Sequence, residues 1–92
     1  MASERLLLDV MLGKLTTYLR MCGYDAAYAH DVGLETDEAI RERAHSEGRT
    51  LLTRDRRLAA GTDDALLLES KEIEGQLAEC AHAAIDQVHE RD

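Results

Sequence analysis

Residues 6–10 read Leu-Leu-Leu-Asp-Val, a short and almost continuous apolar run with a single acid in it. This pattern is typical of a strand that is covered on both faces, as in a parallel sheet. Residues 12–22 follow with apolar side chains at helical spacing, and Gly23 suits the left-handed position just after a helix. The start of the chain therefore predicts a strand followed by a helix.

The remaining chain continues this alternation of strand and helix patterns. A weaker strand pattern covers residues 26–29, and Thr36 can cap a helix that starts with Asp37 and ends at Gly48. Residues 50–53 and 65–68 are further strand candidates, with one helical turn at residues 56–60 between them. Ser70 then caps a final helix, whose apolar face comprises Ile73, Leu77, Cys80, Ala81, Ala84, Ile85 and Val88. This order predicts an α/β fold with a central, mainly parallel sheet of about four strands flanked by helices.

Length and composition narrow the possible classes of protein. The 92 residues have room for one compact domain spanning residues 1–92, and a hydrophobic content of 45% excludes a disordered polar chain. There is no signal-peptide pattern and no apolar run of membrane-spanning length, so we expect a soluble, cytoplasmic protein without a membrane partner. Cys22 and Cys80 have no CxxC or histidine spacing, and we expect both to be small buried apolar residues.

The charge balance is unusual for a protein that binds nucleic acid. Nineteen acidic residues against eleven Lys and Arg give a formal net charge of -8, and the only lysines are Lys14 and Lys71. Either the protein does not bind nucleic acid, or it works in high salt, which screens repulsion from phosphate. The acidic composition and the shortage of lysine favour a halophilic cytoplasm.

Three acidic residues lie where predicted elements meet their loops. Asp9 and Asp55 follow the first and third strands, and Asp37 starts a helix, although a one-residue shift of that start puts Glu38 in its place. In open parallel sheets ligands bind at the carboxyl ends of the strands. Mg²⁺ and Mn²⁺ prefer carboxylate, water and phosphate oxygens, and a metal-bound water can attack a phosphodiester. The three acids therefore predict a site for one or two such ions.

Each acid also has a local structural explanation, which spacing alone does not exclude. Asp9 and Asp55 can each cap the turn that follows, and Asp37 can interact with the positive end of its helix dipole. A metal site and simple capping both remain open at this point.

Basic residues flank the predicted acidic site along the sequence. Lys14 lies in the turn after Asp9, and four arginines surround the third strand: Arg49, Arg54, Arg56 and Arg57. Arg54 is the strongest candidate for a phosphate contact, and the alternative is that these arginines neutralise an acidic surface. Other chemistries find less support, because there is no Walker motif, no GxGxxG and no His or Cys ligand spacing.

Three blocks of sequence stand out together. They are Asp9-Val-Met-Leu-Gly-Lys-Leu-Thr-Thr-Tyr-Leu-Arg-Met-Cys-Gly-Tyr-Asp25, then Asp37-Glu-Ala-Ile followed by Ala44, then Gly48-Arg-Thr-Leu-Leu-Thr-Arg-Asp55-Arg-Arg-Leu58. In this order they resemble the Mut-seven C-terminal RNase domain, a branch of the PIN-like nuclease fold. The resemblance implies a PIN-like three-layer α/β domain with metal-dependent RNase activity.

The resemblance also implies roles for individual residues. Asp9, Asp37 and Asp55 are implied as catalytic, metal-binding acids. The implied substrate-binding positions are Lys14, Arg20 and Arg54.

The resemblance leaves two parts of such a site unassigned. PIN-like sites commonly include a further acid after the fourth strand, for which Asp63, Asp64 and Glu69 are the candidates. Members of the family often continue into a cysteine-rich zinc ribbon, which this sequence lacks, so we expect ribbon-mediated substrate capture to be absent or supplied by a partner.

A metal-dependent ribonuclease that uses Mg²⁺ or Mn²⁺ on an RNA substrate is therefore the first hypothesis. The second is a non-catalytic PIN-like module that binds RNA or a protein, which the net charge and the missing ribbon favour. A toxin-like nuclease held by an antitoxin is the third. The Ala-rich C-terminal helix offers a surface for a homodimer.

Overall fold

The computed structural model describes residues 5–91, with side chains through residue 83. The strands are Arg5–Leu8 (β1), Asp25–Tyr28 (β2), Thr50–Thr53 (β3) and Ala65–Leu67 (β4). They form one parallel sheet in the order β2-β1-β3-β4. The helices are Gly13–Met21 (α1), Asp37–Glu47 (α2), Arg56–Ala60 (α3) and Ile73–Arg91 (α4), with a 3₁₀ turn at Val10–Leu12 before α1. The predicted α/β fold with a parallel sheet is confirmed.

The two faces of the sheet carry separate apolar cores. Leu6 and Leu8 of β1 pack in the core under α1 and α4, whereas Leu7 packs in the core under α2 and α3. Successive strand residues point to opposite faces, so three consecutive leucines supply both cores. Leu51 and Leu52 of β3 divide in the same way. A three-layer arrangement therefore explains why the central strands are apolar at consecutive positions.

The connections of the sheet diverge between its two central strands. The chain leaves β1 through α1 toward β2 at one side, and it leaves β3 through α3 toward β4 at the other side. Since α1 and α3 also cover opposite faces, the ligand-binding crevice of such a sheet is expected between the carboxyl ends of β1 and β3. Asp9 directly follows β1, and Asp55 lies two residues after the last residue of β3.

The helix ends follow the sequence signals with one exception. The Thr36 hydroxyl accepts from the backbone N–H of Ala39 at 3.1 Å, and Gly48 ends α2 in the left-handed conformation with φ of 62°. The last helix begins at Ile73, later than predicted, and the Ser70 hydroxyl instead accepts from the N–H of Glu72 in the preceding turn. The predicted apolar positions Ala84, Ile85 and Val88 lie outside the described side chains.

The two cysteines differ in environment. Cys80 is half-buried against the core under α1 and α4, and burial raises the pKa of its thiol to about 11. Cys22 is exposed because it lies at the end of α1, where the chain turns toward β2, so the prediction that it is buried is wrong. Neither forms a disulfide.

Within residues 5–91, no helix combines the length and the apolar character that crossing a lipid bilayer requires.

Arg49 organises the amino edge of the sheet. Its guanidinium donates to the carbonyls of Leu6 at 3.1 Å and Asp25 at 3.0 Å, and to the Glu47 carboxylate at 2.6 Å, with only 11% of the side chain exposed. Burial acts to lower the pKa of Arg49, but hydrogen bonds to Glu47 and Asp25 outweigh it and raise that pKa. The expectation that Arg49 flanks the acidic site is wrong, because the residue precedes β3 and lies at the opposite end of the strands. We call Arg49, Glu47 and Asp25 the Arg49 cluster.

The Arg49 cluster makes the stability of the fold depend on pH. The hydrogen bond from Arg49 is the main cause that lowers the pKa of Glu47 from 4.5. A carboxylate whose pKa is lower in the folded state stabilises the fold above the unfolded pKa, and this contribution is lost as pH falls through the folded-state pKa. We therefore expect Glu47→Gln to lower the urea midpoint near neutral pH, and the gap from wild type to close in acid, below the folded-state pKa.

The matched control for this experiment is Glu42→Gln, which removes an exposed carboxylate from the same helix. Its urea midpoint should follow that of the wild type across the whole pH range. A gap between Glu47→Gln and wild type that persists unchanged in acid would contradict the assigned role of Glu47.

Candidate active site at the carboxyl ends of the central strands

Asp9 is a buried carboxylate held on both of its oxygens. It is 5% exposed, its Oδ1 accepts from the N–H of Val10 at 2.7 Å, and its Oδ2 accepts from the Thr53 hydroxyl at 2.7 Å. Its own N–H donates to the carbonyl of Leu52 at 3.0 Å, which extends the pairing of β1 with β3. The backbone and side chain of Asp9 are therefore both fixed.

Thr53 connects the two strand-end acids. This fully buried residue donates its hydroxyl proton to Asp9, and the same oxygen accepts from the backbone N–H of Asp55 at 2.9 Å. One hydroxyl thus orients the Asp9 carboxylate and the start of the loop that carries Asp55. Thr53 was not among the residues predicted from the sequence, although a threonine at the end of an apolar strand, two residues before an acid, is a usable signal.

Asp55 caps α3 with one of its oxygens. Its Oδ1 accepts from the N–H groups of Arg57 at 2.9 Å and Leu58 at 3.2 Å, while no hydrogen bond to its Oδ2 is found in the described part of the chain. Asp9 caps the 3₁₀ turn after β1 in a similar way. The capping explanation of both acids is therefore correct, and capping holds each carboxylate at the edge of the crevice.

Asp37 and Asp9 line one cavity of about 330 Å³, which lies between the carboxyl end of β1 and the start of α2. Its lining residues are Asp9, Val10, His30, Gly33, Leu34, Glu35, Asp37 and Ile40. Asp55 and Glu38 are not among them. The structure thus brings Asp9 together with Asp37 through a shared cavity and with Asp55 through Thr53. Glu35, which was not predicted from the sequence, adds a third carboxylate to the cavity.

The carboxylates of this region suit a hard divalent cation by their chemistry. Mg²⁺ and Mn²⁺ take oxygen ligands, and each Asp9 oxygen that accepts one hydrogen bond keeps a second lone pair. Among the described residues, however, no three His, Cys, Asp or Glu side chains lie close enough to hold a metal ion together. An ion bound here would therefore take few protein ligands, and water and substrate phosphate would complete its shell.

The predicted substrate-binding residues occupy different positions. The Arg20 Nε–H donates to the carbonyl of Ala26 at 2.8 Å, and its Nη2 lies 4.0 Å from Oδ2 of Asp31. Arg20 therefore covers the outer edge of β2. Lys14 is exposed in the first turn of α1. Arg54 lies between Thr53 and Asp55, and its Nε is buried without a hydrogen-bond partner among the described residues. Of these three residues, Arg54 is the one whose guanidinium has a buried donor without a partner among the described residues.

The three candidates for the additional acid of a PIN-like site lie at opposite edges of the sheet. Asp63 and Asp64 precede β4 at the amino edge, where Asp64 accepts a hydrogen bond from the Thr50 hydroxyl at 3.0 Å. This position places them away from Asp9. Glu69 follows β4 at the carboxyl edge and is exposed, and its N–H donates to the Glu79 carboxylate at 3.2 Å. Of the three, only Glu69 lies at the edge that carries Asp9 and Asp55.

His30 is a third residue that was not predicted from the sequence, after Thr53 and Glu35. It lies just after β2, it is exposed, and it lines the cavity that contains Asp9 and Asp37. Its ring stacks on that of Tyr28, with the ring centres 5.8 Å apart and the planes 26° from parallel. No spacing rule for metal-binding histidines marks this position, because the proximity arises from the fold.

Comparison with known proteins identifies the family of this chain. The family model described as the Mut7-C RNAse domain matches residues 4–91. No curated protein and no solved structure matches the chain. The four-stranded parallel sheet flanked by helices is consistent with the PIN-like fold that the sequence resemblance implies. Since the match covers nearly the whole chain, this protein belongs to the Mut7-C RNAse domain family.

Proposed function

We propose that this protein is a metal-dependent ribonuclease that hydrolyses RNA phosphodiester bonds at the carboxyl ends of β1 and β3. The observation that carries the proposal is the hydrogen-bonded chain from Asp9 through Thr53 to Asp55, in a protein of an RNase family. This chain fixes the Asp9 carboxylate and the backbone of Asp55 at the strand ends where parallel sheets bind ligands, and the cap of α3 holds the Asp55 carboxylate there. A simple capping role explains the bonds to Val10 and Arg57 but gives no reason for a buried link between the two caps.

Asp9, Asp37 and Asp55 are the acids that we propose to hold Mg²⁺ or Mn²⁺, with Glu38 as an alternative at the start of α2. Because no three of the described acids lie close enough to bind one ion together, some of these contacts would pass through coordinated water. When bound, such an ion lowers the pKa of a coordinated water and neutralises charge on the phosphoryl oxygens. Asp9 contributes a carboxylate that needs no reorganisation, because both of its oxygens are already held. Asp55 contributes the oxygen that its cap leaves open.

Positively charged groups at the same edge would hold the RNA backbone. Arg54 is the first candidate, because its buried Nε lacks a partner and a guanidinium can bind phosphate through two parallel hydrogen bonds. Lys14 lies one turn after Asp9 and offers an exposed ammonium. Arg20 is engaged with the edge of β2, so its proposed contribution is to position that edge beside the site.

A non-catalytic module is the competing function, and two observations favour it. The net charge of -8 opposes RNA binding at low salt, and the described acids do not form a three-ligand cluster. Such a module would bind a protein partner or a second copy of the chain.

Titration calorimetry with Mn²⁺ separates the enzyme from the module. We expect saturable Mn²⁺ binding by the wild type, in physiological salt or in concentrated KCl, and loss of that binding in Asp9→Asn. A parallel assay with labelled single-stranded RNA should show cleavage that depends on Mn²⁺ or Mg²⁺ and stops with EDTA. Absence of Mn²⁺ binding in both salt conditions, together with absence of cleavage, would overturn the ribonuclease and favour the module.

A further inference from the structure

His30 lies beside the two cavity acids, Asp9 and Asp37. Its ring stacks on that of Tyr28, and the residue is exposed, so the ring keeps an open face that a ligand can contact. His30 lines the same cavity as Asp9 and Asp37, whose volume of about 330 Å³ lies within the usual range for ligand pockets. An aromatic surface is therefore available directly next to the proposed cleavage site.

Tyr28, on which the His30 ring stacks, is anchored by a hydrogen bond and by packing. Its hydroxyl donates to the carbonyl of Val10 at 2.6 Å, and its ring packs against the core under α1 and α4. Gly13 leaves room for it, because a Cβ at that position would lie 2.9 Å from the Tyr28 hydroxyl oxygen. The orientation of the His30 ring thus depends on Tyr28, which is bonded to the residue next to Asp9.

We propose that the open face of His30 stacks on a nucleobase of single-stranded RNA whose phosphate lies at Asp9 and Asp37. This inference rests on the proposed ribonuclease function and specifies its substrate class. Stacking on aromatic rings contributes to single-strand binding irrespective of base identity. Bases in a duplex have both faces covered by neighbouring bases, whereas bases in single strands are free to turn outward. The contact therefore selects single strands.

Stacking also offers a way for this negatively charged surface to bind RNA. Carboxylates at Asp9, Glu35 and Asp37 repel the phosphates of an approaching strand, and the chain carries a net charge of -8. Contact with the flat face of a base adds affinity without needing a basic residue, and it weakens less with salt than phosphate contacts do. An aromatic surface is the kind of RNA contact that an acidic protein in high salt can use.

The test measures the affinity of a short fluorescein-labelled single-stranded oligoribonucleotide by anisotropy. All variants carry Asp55→Asn to prevent cleavage, and Mn²⁺ is present. We expect His30→Ala to weaken binding about tenfold and His30→Phe, which keeps a flat ring without ring nitrogens, to stay within about twofold of the parent. The same strand annealed to its complement should bind more weakly, with no dependence on His30.

The matched control is His45→Ala, which removes an exposed histidine from the other end of α2 and should leave the affinity unchanged. Parent-like affinity of His30→Ala would overturn the inference, as would equal weakening by the Ala and Phe variants. Cleavage by the wild type that His30→Ala does not alter would reject the stacking contact but leave the ribonuclease intact. Single-strand binding that depends on His30, without any metal-dependent cleavage, would reject the ribonuclease instead.

Discussion

Replacing Asp9 with asparagine should lower kcat/KM for RNA cleavage at least about 100-fold while the protein stays folded. The new side chain has nearly the same shape, its amide oxygen can accept from the N–H of Val10, and its amino group can donate to the Thr53 oxygen. A hydroxyl oxygen can accept twice, so the bond from the Asp55 N–H to Thr53 survives. What is lost is the negative charge at the position where a metal ion and the reacting phosphate would meet.

Cleavage is measured with labelled single-stranded RNA and Mn²⁺, and folding is followed by circular dichroism and urea denaturation. Asp55→Asn should give a loss of similar order with an intact cap, because asparagine caps helices as well as aspartate does. Glu42→Gln removes one exposed acid elsewhere and should leave the rate unchanged. Wild-type rates in both Asp9→Asn and Asp55→Asn would remove these carboxylates from the mechanism.

Thr53→Val should produce the second largest effect, a loss of activity of about 10- to 100-fold. The substitution keeps both acids but removes the hydrogen bonds that hold the Asp9 carboxylate and the backbone of Asp55. Valine matches the shape of threonine but offers no hydroxyl, so Asp9 loses a donor and the N–H of Asp55 loses its acceptor. Leaving such groups unpaired in a buried position also lowers the free energy of unfolding, by about 1–3 kcal/mol.

The control for Thr53 is Thr53→Ser, which keeps the hydroxyl and removes one methyl group. It should retain most of the activity, with a stability loss of about 1 kcal/mol for the missing methyl. Restoring the hydroxyl thus restores the rate if Thr53 acts through hydrogen bonding. Equal activities in the Val and Ser variants would show that Thr53 only fills space.

The elements of the fold could be predicted from sequence because their signals are local. Three consecutive leucines require a strand with two buried faces, and the Thr36 cap and Gly48 mark the ends of α2. The same local logic located Asp9 and Asp55 at strand ends. Capping and function were competing explanations for these acids in the sequence, whereas in the structure the caps hold the carboxylates at the crevice.

The relationships between elements could not be predicted in this way. Thr53 reaches Asp9 across 44 positions of sequence, and no periodicity encodes a hydrogen bond between two strands. His30 reaches the cavity because the loop after β2 folds beside the start of α2. Arg49 is close to Asp55 in sequence but at the other end of the same strand, so proximity along the chain was misleading.

The position of the Arg49 cluster separates the residues that stabilise the fold from the residues proposed for catalysis. Stability and activity often conflict in enzymes. The bonds that join β1, β2 and α2 through Arg49 lie at the amino edge, and the proposed reaction takes place at the carboxyl edge, one strand length away. Substitutions that strengthen the first edge leave the second untouched. Evolution or an engineer can thus raise the heat tolerance of this small protein and alter its turnover through two non-overlapping sets of positions.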